Sequence, residues 1–294
     1  MYSKKIMASK KLKGLNMLKI GCHLSASKGY SHMLKEAEFL NANTFQFFTR
    51  NPRGGKAKEI DYEDISLFKE KSKSLKFNQI LAHAPYTLNP ASQNDKIRDF
   101  AHLVMKDDLM RLDLLDDALY NFHPGSHVGA GKVVGTQLII DLLNNILTKE
   151  TKTTVLLETM SGSGSEIGST FEELKSIMDE VKYIEKIGVC MDTCHIYSAG
   201  YDIKNNLDSV LTDFDRIIGL EKLHAIHLND SKMPFNSHKD RHEKIGEGEI
   251  GLEAISRIIT HPALKEKLFV LETPNELDGY KQEISLLQNI YANS

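Results

Sequence analysis

The sequence lacks the features that mark secreted and membrane proteins. Its 294 residues contain only three cysteines, Cys22, Cys190 and Cys194, which are too few for a disulfide framework in a chain of this length. No stretch approaches the ~20 consecutive apolar residues that a membrane-spanning helix needs, and no secretory hydrophobic segment is evident. We therefore expect a cytoplasmic protein with no membrane partner.

The sequence also lacks a strong excess of charge of either sign. It has 37 Lys and Arg against 40 Asp and Glu, a net charge of −3. A nucleic-acid partner would therefore have to be held by local basic patches, because the overall field does not attract it. One lysine-rich stretch, residues 1–16 (MYSKKIMASKKLKGLN), has no clear period. We expect it to be a flexible tail, followed by one folded domain over residues 17–294.

Apolar runs alternate with amphipathic helical stretches throughout the remaining chain. The predicted strands begin at Lys19, Asn43, Gln79, Ala118, Thr153, Ile187, Leu223 and Leu268. The predicted helices cover roughly Tyr30–Leu40, Asp61–Leu75, Asp95–Leu115, Gly135–Leu147, Thr170–Val181, Leu207–Ile218, Leu252–Ile259 and Gly279–Ile290. Eight βα units predict an α/β fold, a (β/α)8 TIM barrel in a single domain. The alternative, a doubly wound open sheet, lacks its Gly-rich dinucleotide fingerprint after the first strand, and we expect no organic cofactor.

Metal-ligand side chains recur at the predicted carboxyl ends of the strands, where a barrel gathers its active site. Seven of them stand at or near strand ends: His83, His123, Glu158, Asp192, His195, His227 and Glu272. Asp240 and His242 follow in the loop after the seventh strand. Any one of these residues could be a hydrogen-bonded structural group. So many acids and imidazoles at one barrel end would, however, be unfavourable without cations.

The size and chemistry of this set indicate more than one metal ion. A single catalytic zinc takes three protein ligands and water, whereas the set holds five His, two Asp and two Glu. Imidazole mixed with carboxylate, without thiolate, suits Zn²⁺, Mn²⁺ or Fe²⁺. Cys190 and Cys194 are expected to be small buried filler. Metal clusters of this kind serve in-line displacement at phosphorus, which predicts a phosphodiester hydrolase.

Three strings in the chain carry a specific resemblance. They are Asn121–His127 (NFHPGSH), Gly188–His195 (GVCMDTCH) and His227–Gly248 (HLNDSKMPFNSHKDRHEKIGEG). Together they resemble the endonuclease IV family of apurinic/apyrimidinic endonucleases, and the resemblance runs from about Met17 to the last helix. It implies a monomeric TIM-barrel enzyme of base excision repair that acts on duplex DNA. The expected reaction hydrolyses the phosphodiester 5′ to an abasic site and leaves a 3′-hydroxyl and a 5′-deoxyribose phosphate.

The resemblance also implies three zinc ions, with Mn²⁺ or Fe²⁺ as alternative occupants of one or more sites. The first ion would be held by His83, His123 and Glu158. Glu158 would bridge to a second ion held by Asp192, His227 and Glu272, and the third would sit on His195, Asp240 and His242. Glu158 and Glu272 would be the catalytic carboxylates, with Glu272 orienting or deprotonating the attacking water.

Three expected DNA contacts rest on the same resemblance: Asn51, Arg53 and Tyr86. Lys232 and Arg241, in the late loop, are expected phosphate contacts, with ordinary surface charge as the alternative. The loop TRNPRGGKAK, from Thr49, is expected to enter the minor groove near the lesion. Here Gly54 and Gly55 follow the arginine, and Thr87 follows the tyrosine, where family members often carry larger side chains. These departures concern how the DNA is kinked and leave the metal ligands unaffected.

Two rival functions use the same residues. A divalent-metal sugar isomerase or epimerase would share the carboxylates and imidazoles at the strand ends, but it would not need a third site, so Asp240 and His242 argue against it. A non-catalytic DNA-binding protein with structural zinc would use closed, cysteine-rich sites. The candidate set contains no cysteine and is spread over six strands, which favours the hydrolase.

Overall fold

The computed structural model describes residues 17–53 and 55–294. Its strands are β1 (Ile20–Leu24), β2 (Gln46–Phe48), β3 (Leu81–His83), β4 (Leu119–Phe122), β5 (Thr154–Glu158), β6 (Ile187–Asp192), β7 (Leu223–His227), β8 (Asp230–Ser231), β9 (His242–Glu243) and β10 (Leu268–Leu271). Eight of these described strands close into a barrel in the order β1-β10-β7-β6-β5-β4-β3-β2, and every neighbouring pair is parallel. The predicted tail, residues 1–16, lies outside the described residues.

Helices follow the strands and surround the barrel. Those in the described residues are α1 (Tyr30–Phe39), α2 (Tyr62–Leu75), α3 (Asp95–Leu112), α4 (Lys132–Ile146), α5 (Phe171–Met178), α6 (Thr193–Ser198), α7 (Leu207–Ile217), α8 (Leu252–Thr260) and α9 (Leu277–Ala292). Side-chain oxygens of Asp61, Asn94 and Thr170 accept hydrogen bonds from the first backbone amides of α2, α3 and α5. These caps satisfy amides that have no partner within the helix, and so they set where the three helices begin.

The apolar core has two layers, as a barrel requires. The inner layer fills the barrel with Leu81, Leu119, Leu156, Cys190, Ala225, Leu268 and Val270. The larger outer layer lies between strands and helices and includes Phe45, Leu34 and Ile284, all fully buried. In the sequence, strands that are covered on both faces are continuous apolar runs rather than alternating apolar and polar residues. The inner apolar layer fills the interior of the barrel, and polar side chains occupy the carboxyl ends of the strands.

The predicted fold class is confirmed, because the structure contains all eight predicted strands in a closed barrel with helices outside. The observed ends of some elements differ from the predicted ends where the hydrophobic periodicity gives no signal. The prediction began α4 at Gly135, whereas the helix begins at Lys132, because its first turn is solvent-exposed: Val133 is 86% exposed. The short helix α6 and the ribbon of β8 and β9 were not predicted. Among the described helices, none has the length and apolar character needed to cross a bilayer.

Gly21 allows β1 to approach the segment that leads into β2. A Cβ atom at Gly21 would overlap the carbonyl oxygen of Thr44, which is backbone and cannot rotate away. We expect Gly21→Ala to lower the free energy of unfolding by about 1–3 kcal/mol, as overpacking of a core does. Urea denaturation followed by circular dichroism measures this. An unchanged midpoint would contradict the close approach of the two backbones.

Candidate metal centre

The nine candidate ligands come together at the carboxyl end of the barrel. Seven of them line a cavity of about 580 Å³ at its mouth: His83, His123, Glu158, His195, Asp240, His242 and Glu272. The other two, Asp192 and His227, are fully buried directly behind them. Among the described residues, three groupings of these side chains place all their ligand atoms within 4.8 Å of one another. The membership of the three groupings is the one that the family resemblance implies; binding of an ion by them stays a prediction.

The first group joins the ends of β3, β4 and β5. Nε2 of His83 lies 3.1 Å and Nε2 of His123 lies 3.2 Å from the same carboxylate oxygen, Oε2 of Glu158. Glu158 is the last residue of β5 and is only 1% exposed. Two imidazole nitrogens converging on one carboxylate oxygen form a compact donor set for a divalent cation.

The second group lies deeper and shares Glu158 with the first. Nδ1 of His227 is 3.1 Å from Oε1 of Glu158, 3.2 Å from Oε2 of Glu272 and 3.8 Å from Oδ2 of Asp192. The two oxygens of Glu158 therefore face different groups. A carboxylate in this position can bridge two ions.

The third group forms above the second. Nε2 of His195 lies 3.4 Å from Oδ2 of Asp240, and Nε2 of His242 lies 3.2 Å from Oδ1 of the same carboxylate. His242 also approaches Oδ2 of Asp192 at 3.5 Å, so the second and third groups adjoin. A further overlapping set adds Cys194 to Asp192 and His242. Cys190 and Cys194 are both buried free thiols, in agreement with the prediction that they fill space.

A small ribbon places the third group over the barrel. In it β8 pairs antiparallel with β9, with Ser231 opposite His242. The carboxylate of the fully buried Asp230 accepts hydrogen bonds from the backbone amides of Ser231 and of four residues of the following loop, Gly246, Gly248, Ile250 and Gly251. This one carboxylate ties the loop after β9 to β8, and so it fixes the segment that carries Asp240 and His242.

Hydrogen bonds on the outer side of the imidazoles decide which nitrogen faces the cluster. Nδ1 of His83 lies 2.6 Å from the carbonyl oxygen of Ala84, and Nδ1 of His195 lies 2.8 Å from that of Thr159. Because a carbonyl oxygen only accepts, each Nδ1 carries the proton and each Nε2 is turned inward. Metal-binding histidines are held in this way by a partner behind the ring.

The electrostatics of the cluster favour positive charge at its centre. Burial raises the pKa of Glu158, but the imidazoles of His123 and His227 outweigh it and hold this pKa well below its usual value. Burial lowers the pKa of His195, but the carboxylates of Asp192 and Asp240 hold it well above its usual value. A divalent cation competes with protons for these same atoms, so metal binding would release the protons.

The donor set fits divalent transition-metal ions. Among the described side chains, Nε2 of His195 and Nε2 of His242 are buried atoms with no hydrogen-bond partner. Buried polar nitrogens without partners are costly, and both point toward Asp240 in the third group. Imidazole and carboxylate together suit Zn²⁺, Mn²⁺ and Fe²⁺ better than Mg²⁺ or Ca²⁺. The residues present therefore fit the ions that the sequence predicts.

The candidate DNA contacts form two exposed groups beside the cavity. In the first, Nε of Arg53 donates to the hydroxyl oxygen of Tyr86 at 3.0 Å, and the side chain of Asn51 accepts from the backbone amide of Arg53. In the second, Lys232 and Arg241 are neighbours, because the amide of Lys232 donates to the carbonyl of Arg241. Their contact with DNA stays a prediction.

The structure gives a physical reason for the glycine at position 55 in the basic loop, where family members often carry larger side chains. A Cβ at Gly55 would lie 2.5 Å from the ring of Phe100, so a larger side chain does not fit without movement of that ring. Gly54 lies outside the described residues. Thr87 reaches back to the same loop, where its hydroxyl donates to the carbonyl of Pro52.

Sequence reasoning missed several polar residues that surround the nine candidates. Asn121 donates to Oε2 of Glu158, Asn229 donates to Oδ2 of Asp192, and Gln46 donates to Oε1 of Glu272. All three are fully buried. A signal was present for Gln46, because an amide between Phe45 and Phe47 in an otherwise apolar strand is unusual unless it has buried partners.

Comparisons with known proteins agree with this geometry. A family model described as a xylose isomerase-like TIM barrel matches residues 34–290. The chain is 61% identical over 277 residues to a probable endonuclease 4 of Clostridium beijerinckii, covering 94% of this chain and 100% of that protein. It is 55% identical over 275 residues to a probable endonuclease 4 of Methanosphaera stadtmanae, again covering 94% and 100%.

Solved structures show the same relationship. The crystal structure of endonuclease IV from Thermus thermophilus has a TM-score of 0.83 and 28% identity, and it covers 94% of this chain and all of that one. A D-tagatose 3-epimerase-like protein has a TM-score of 0.69 at 21% identity, covering 94% and 98%. At that identity the second likeness shows the fold alone. The sequence similarity therefore lies with the endonucleases rather than with the sugar epimerases.

Proposed function

Because this chain belongs to the endonuclease IV family and is an enzyme of that class, we propose that it hydrolyses the phosphodiester bond 5′ to an abasic site in duplex DNA. The products would be a 3′-hydroxyl and a 5′-deoxyribose phosphate. One observation carries the proposal: three adjoining groups of ligand atoms at the barrel mouth, two of them sharing Glu158. The centre has more ligands than a single catalytic zinc requires. More than one ion would suit a phosphodiester, which could then be held at two of its oxygens.

The proposed cofactor is zinc, three ions per chain, with Mn²⁺ or Fe²⁺ as alternative occupants of one or more sites. Nine residues would hold them, in the three groups described: His83, His123, Glu158, Asp192, His195, His227, Asp240, His242 and Glu272. When bound, such ions lower the pKa of water and neutralise charge on a phosphoryl group.

Glu272 is the residue of this chain best placed to handle the proton of the attacking water. It follows β10 directly, its side chain is 17% exposed, and it lines the cavity. Its Oε1 accepts a hydrogen bond from Gln46, and Oε2 faces His227 at 3.2 Å. Burial raises the pKa of Glu272, but His227 and His23 hold it well below its usual value, so the carboxylate is ionised.

The proposed substrate is held by short-range contacts, since the chain's net charge is −3. Asn51, Arg53 and Tyr86 would form one group of DNA contacts, and Lys232 and Arg241 a second. Tyr86 is 45% exposed and lines the cavity, so its ring is available to stack on a nucleoside at the lesion. Contacts of this kind to phosphates give binding that weakens with salt.

The test is an incision assay combined with metal counting. The purified protein is incubated with a duplex oligonucleotide that carries one abasic analogue, and the bound metal is measured by mass spectrometry. We expect a single incision 5′ to the lesion, about three zinc ions per chain, and loss of activity on chelation that added zinc restores. The undamaged duplex is the control and should stay intact. No incision by metal-loaded protein, together with epimerisation of a free ketose, would replace this proposal with the sugar-epimerase function.

A further inference from the structure

Gln46 is a polar side chain that contacts two candidate metal ligands, His227 and Glu272. It opens β2, which is otherwise apolar, and it is fully buried. Parallel pairing places it beside His23 of β1 and Leu81 of β3. Burying an amide in this position is costly unless its hydrogen-bonding groups are satisfied. A methionine or leucine would fill the same space without that cost, so the amide has a reason other than packing.

The hydrogen bonds of this amide are directed at the metal centre. Nε2 of Gln46 lies 2.5 Å from Oε1 of Glu272 and 3.0 Å from Nδ1 of His23. Oε1 of Gln46 lies 2.7 Å from Nε2 of His227. Since a carboxylate only accepts, the NH₂ group must be the end that faces Glu272, and the amide oxygen is left to accept from His227.

This arrangement determines which atoms of two candidate ligands remain free. His227 uses Nε2 to donate to Gln46, so Nδ1 is the nitrogen that faces Glu158 and Glu272. Glu272 uses Oε1 to accept from Gln46, so Oε2 is the oxygen that faces His227 and the second group. One amide thereby orients a ring and a carboxylate that come from different strands.

We propose that Gln46 is a positioning residue of the second metal site, which holds His227 and Glu272 in the orientations that metal binding and proton transfer need. The inference rests on the proposed function, because it assigns a role within that centre. Gln46 is fully buried, whereas the DNA-binding candidates stand at the surface, so its influence passes through the groups to which it bonds. Outer partners of this kind change metal affinity or activity by roughly 10–100-fold when removed.

The test compares Gln46→Met with a matched control, Thr44→Val. Both changes remove a buried hydrogen-bonding group near β2, but the hydroxyl of Thr44 donates to the carbonyl of Gln79, away from the metal centre. Zinc affinity is measured by competition with a chromophoric chelator, and kcat and KM are measured on the abasic duplex. Thermal unfolding of the metal-free proteins gives the purely structural effect of each change.

For Gln46→Met we expect zinc affinity at one site to fall roughly 10–100-fold, and kcat to fall by a similar factor with KM unchanged. Thr44→Val should retain wild-type zinc affinity and kcat. If Gln46→Met matches Thr44→Val in both, Gln46 is a packing residue and the inference is overturned. Gln46→Leu repeats the comparison should the methionine variant not fold. Zinc binding without incision by the wild type would end the proposed function, yet the affinity comparison would still decide the role of Gln46.

Discussion

Glu272→Gln should reduce the rate of incision by about 10²–10⁴-fold, the usual contribution of a positioned general base. The amide keeps the size of the carboxylate and an oxygen that can face the second group, but it cannot take up a proton at neutral pH. Binding of abasic DNA should survive, because none of the residues proposed to contact DNA belongs to the three ligand groups. The change therefore separates chemistry from recognition.

The measurement pairs single-turnover incision with fluorescence anisotropy on a labelled abasic duplex. Glu276→Gln is the matched control, since Glu276 lines the same cavity but is exposed and belongs to none of the three ligand groups. It should incise at close to the wild-type rate. Metal counting on both variants is needed, because loss of an ion would also lower the rate. Normal turnover by Glu272→Gln with a full metal complement would remove the role assigned to this carboxylate.

The barrel could be predicted from sequence because its determinants are local. Each strand is a short apolar run, and each helix shows a stripe of apolar residues, so length and period alone distinguish them. The short helix α6 escaped prediction because its six residues are all buried, which leaves no amphipathic pattern to detect. The ribbon of β8 and β9 escaped for a different reason. Its two-residue strands are held by Asp230 and backbone amides, and no hydrophobic periodicity accompanies such contacts.

The candidate site also contains some residues that could be predicted from the sequence and others that could not. His83, Glu158 and Asp192 could be placed together because they end parallel strands of one barrel, whose carboxyl ends meet. Gln46 and Asn229 could not, because their importance lies in which atoms they contact across the barrel. Gln46 is separated from His227 by 181 positions and from Glu272 by 226. Contacts of that range depend on register and rotamer, which a single sequence does not display.

The loop that carries Asn51 and Arg53 is anchored by a buried ion pair. The side chain of Arg50 is 3% exposed; its guanidinium binds the fully buried Asp108, lies 2.8 Å from Oδ2 of Asp107 and donates to the carbonyl of Gly55 at 2.6 Å. We expect Arg50→Met to lower the free energy of unfolding by about 3–5 kcal/mol, because it leaves the carboxylate of Asp108 buried without its cation. Chemical denaturation measures the change.

Two comparisons show whether the cost arises from the unpaired charge. Arg216→Met removes an exposed ion pair with Asp213, and it should cost less than about 1 kcal/mol. The double variant Arg50→Met with Asp108→Asn removes both charges, so it should recover part of the lost stability. Hydrogen bonds from Thr49 and Tyr120 to Asp108 limit that recovery. If the double variant is as unstable as the sum of the single ones, packing rather than charge holds the loop in place.

Arg50→Met also tests whether anchoring of this loop affects the binding of abasic DNA. Arg50 bonds to the loop on one side and to α3 on the other, so its loss should free the loop that bears Arg53 while leaving the metal ligands in place. We therefore expect Arg50→Met, assayed well below its unfolding temperature, to bind abasic DNA more weakly and to keep its metal content. Weaker binding with the full metal complement would show that a rigid loop, held from behind by a buried arginine, is part of how this enzyme recognises its substrate. Unchanged DNA binding would mean that this loop makes no contact with the substrate that depends on its anchoring.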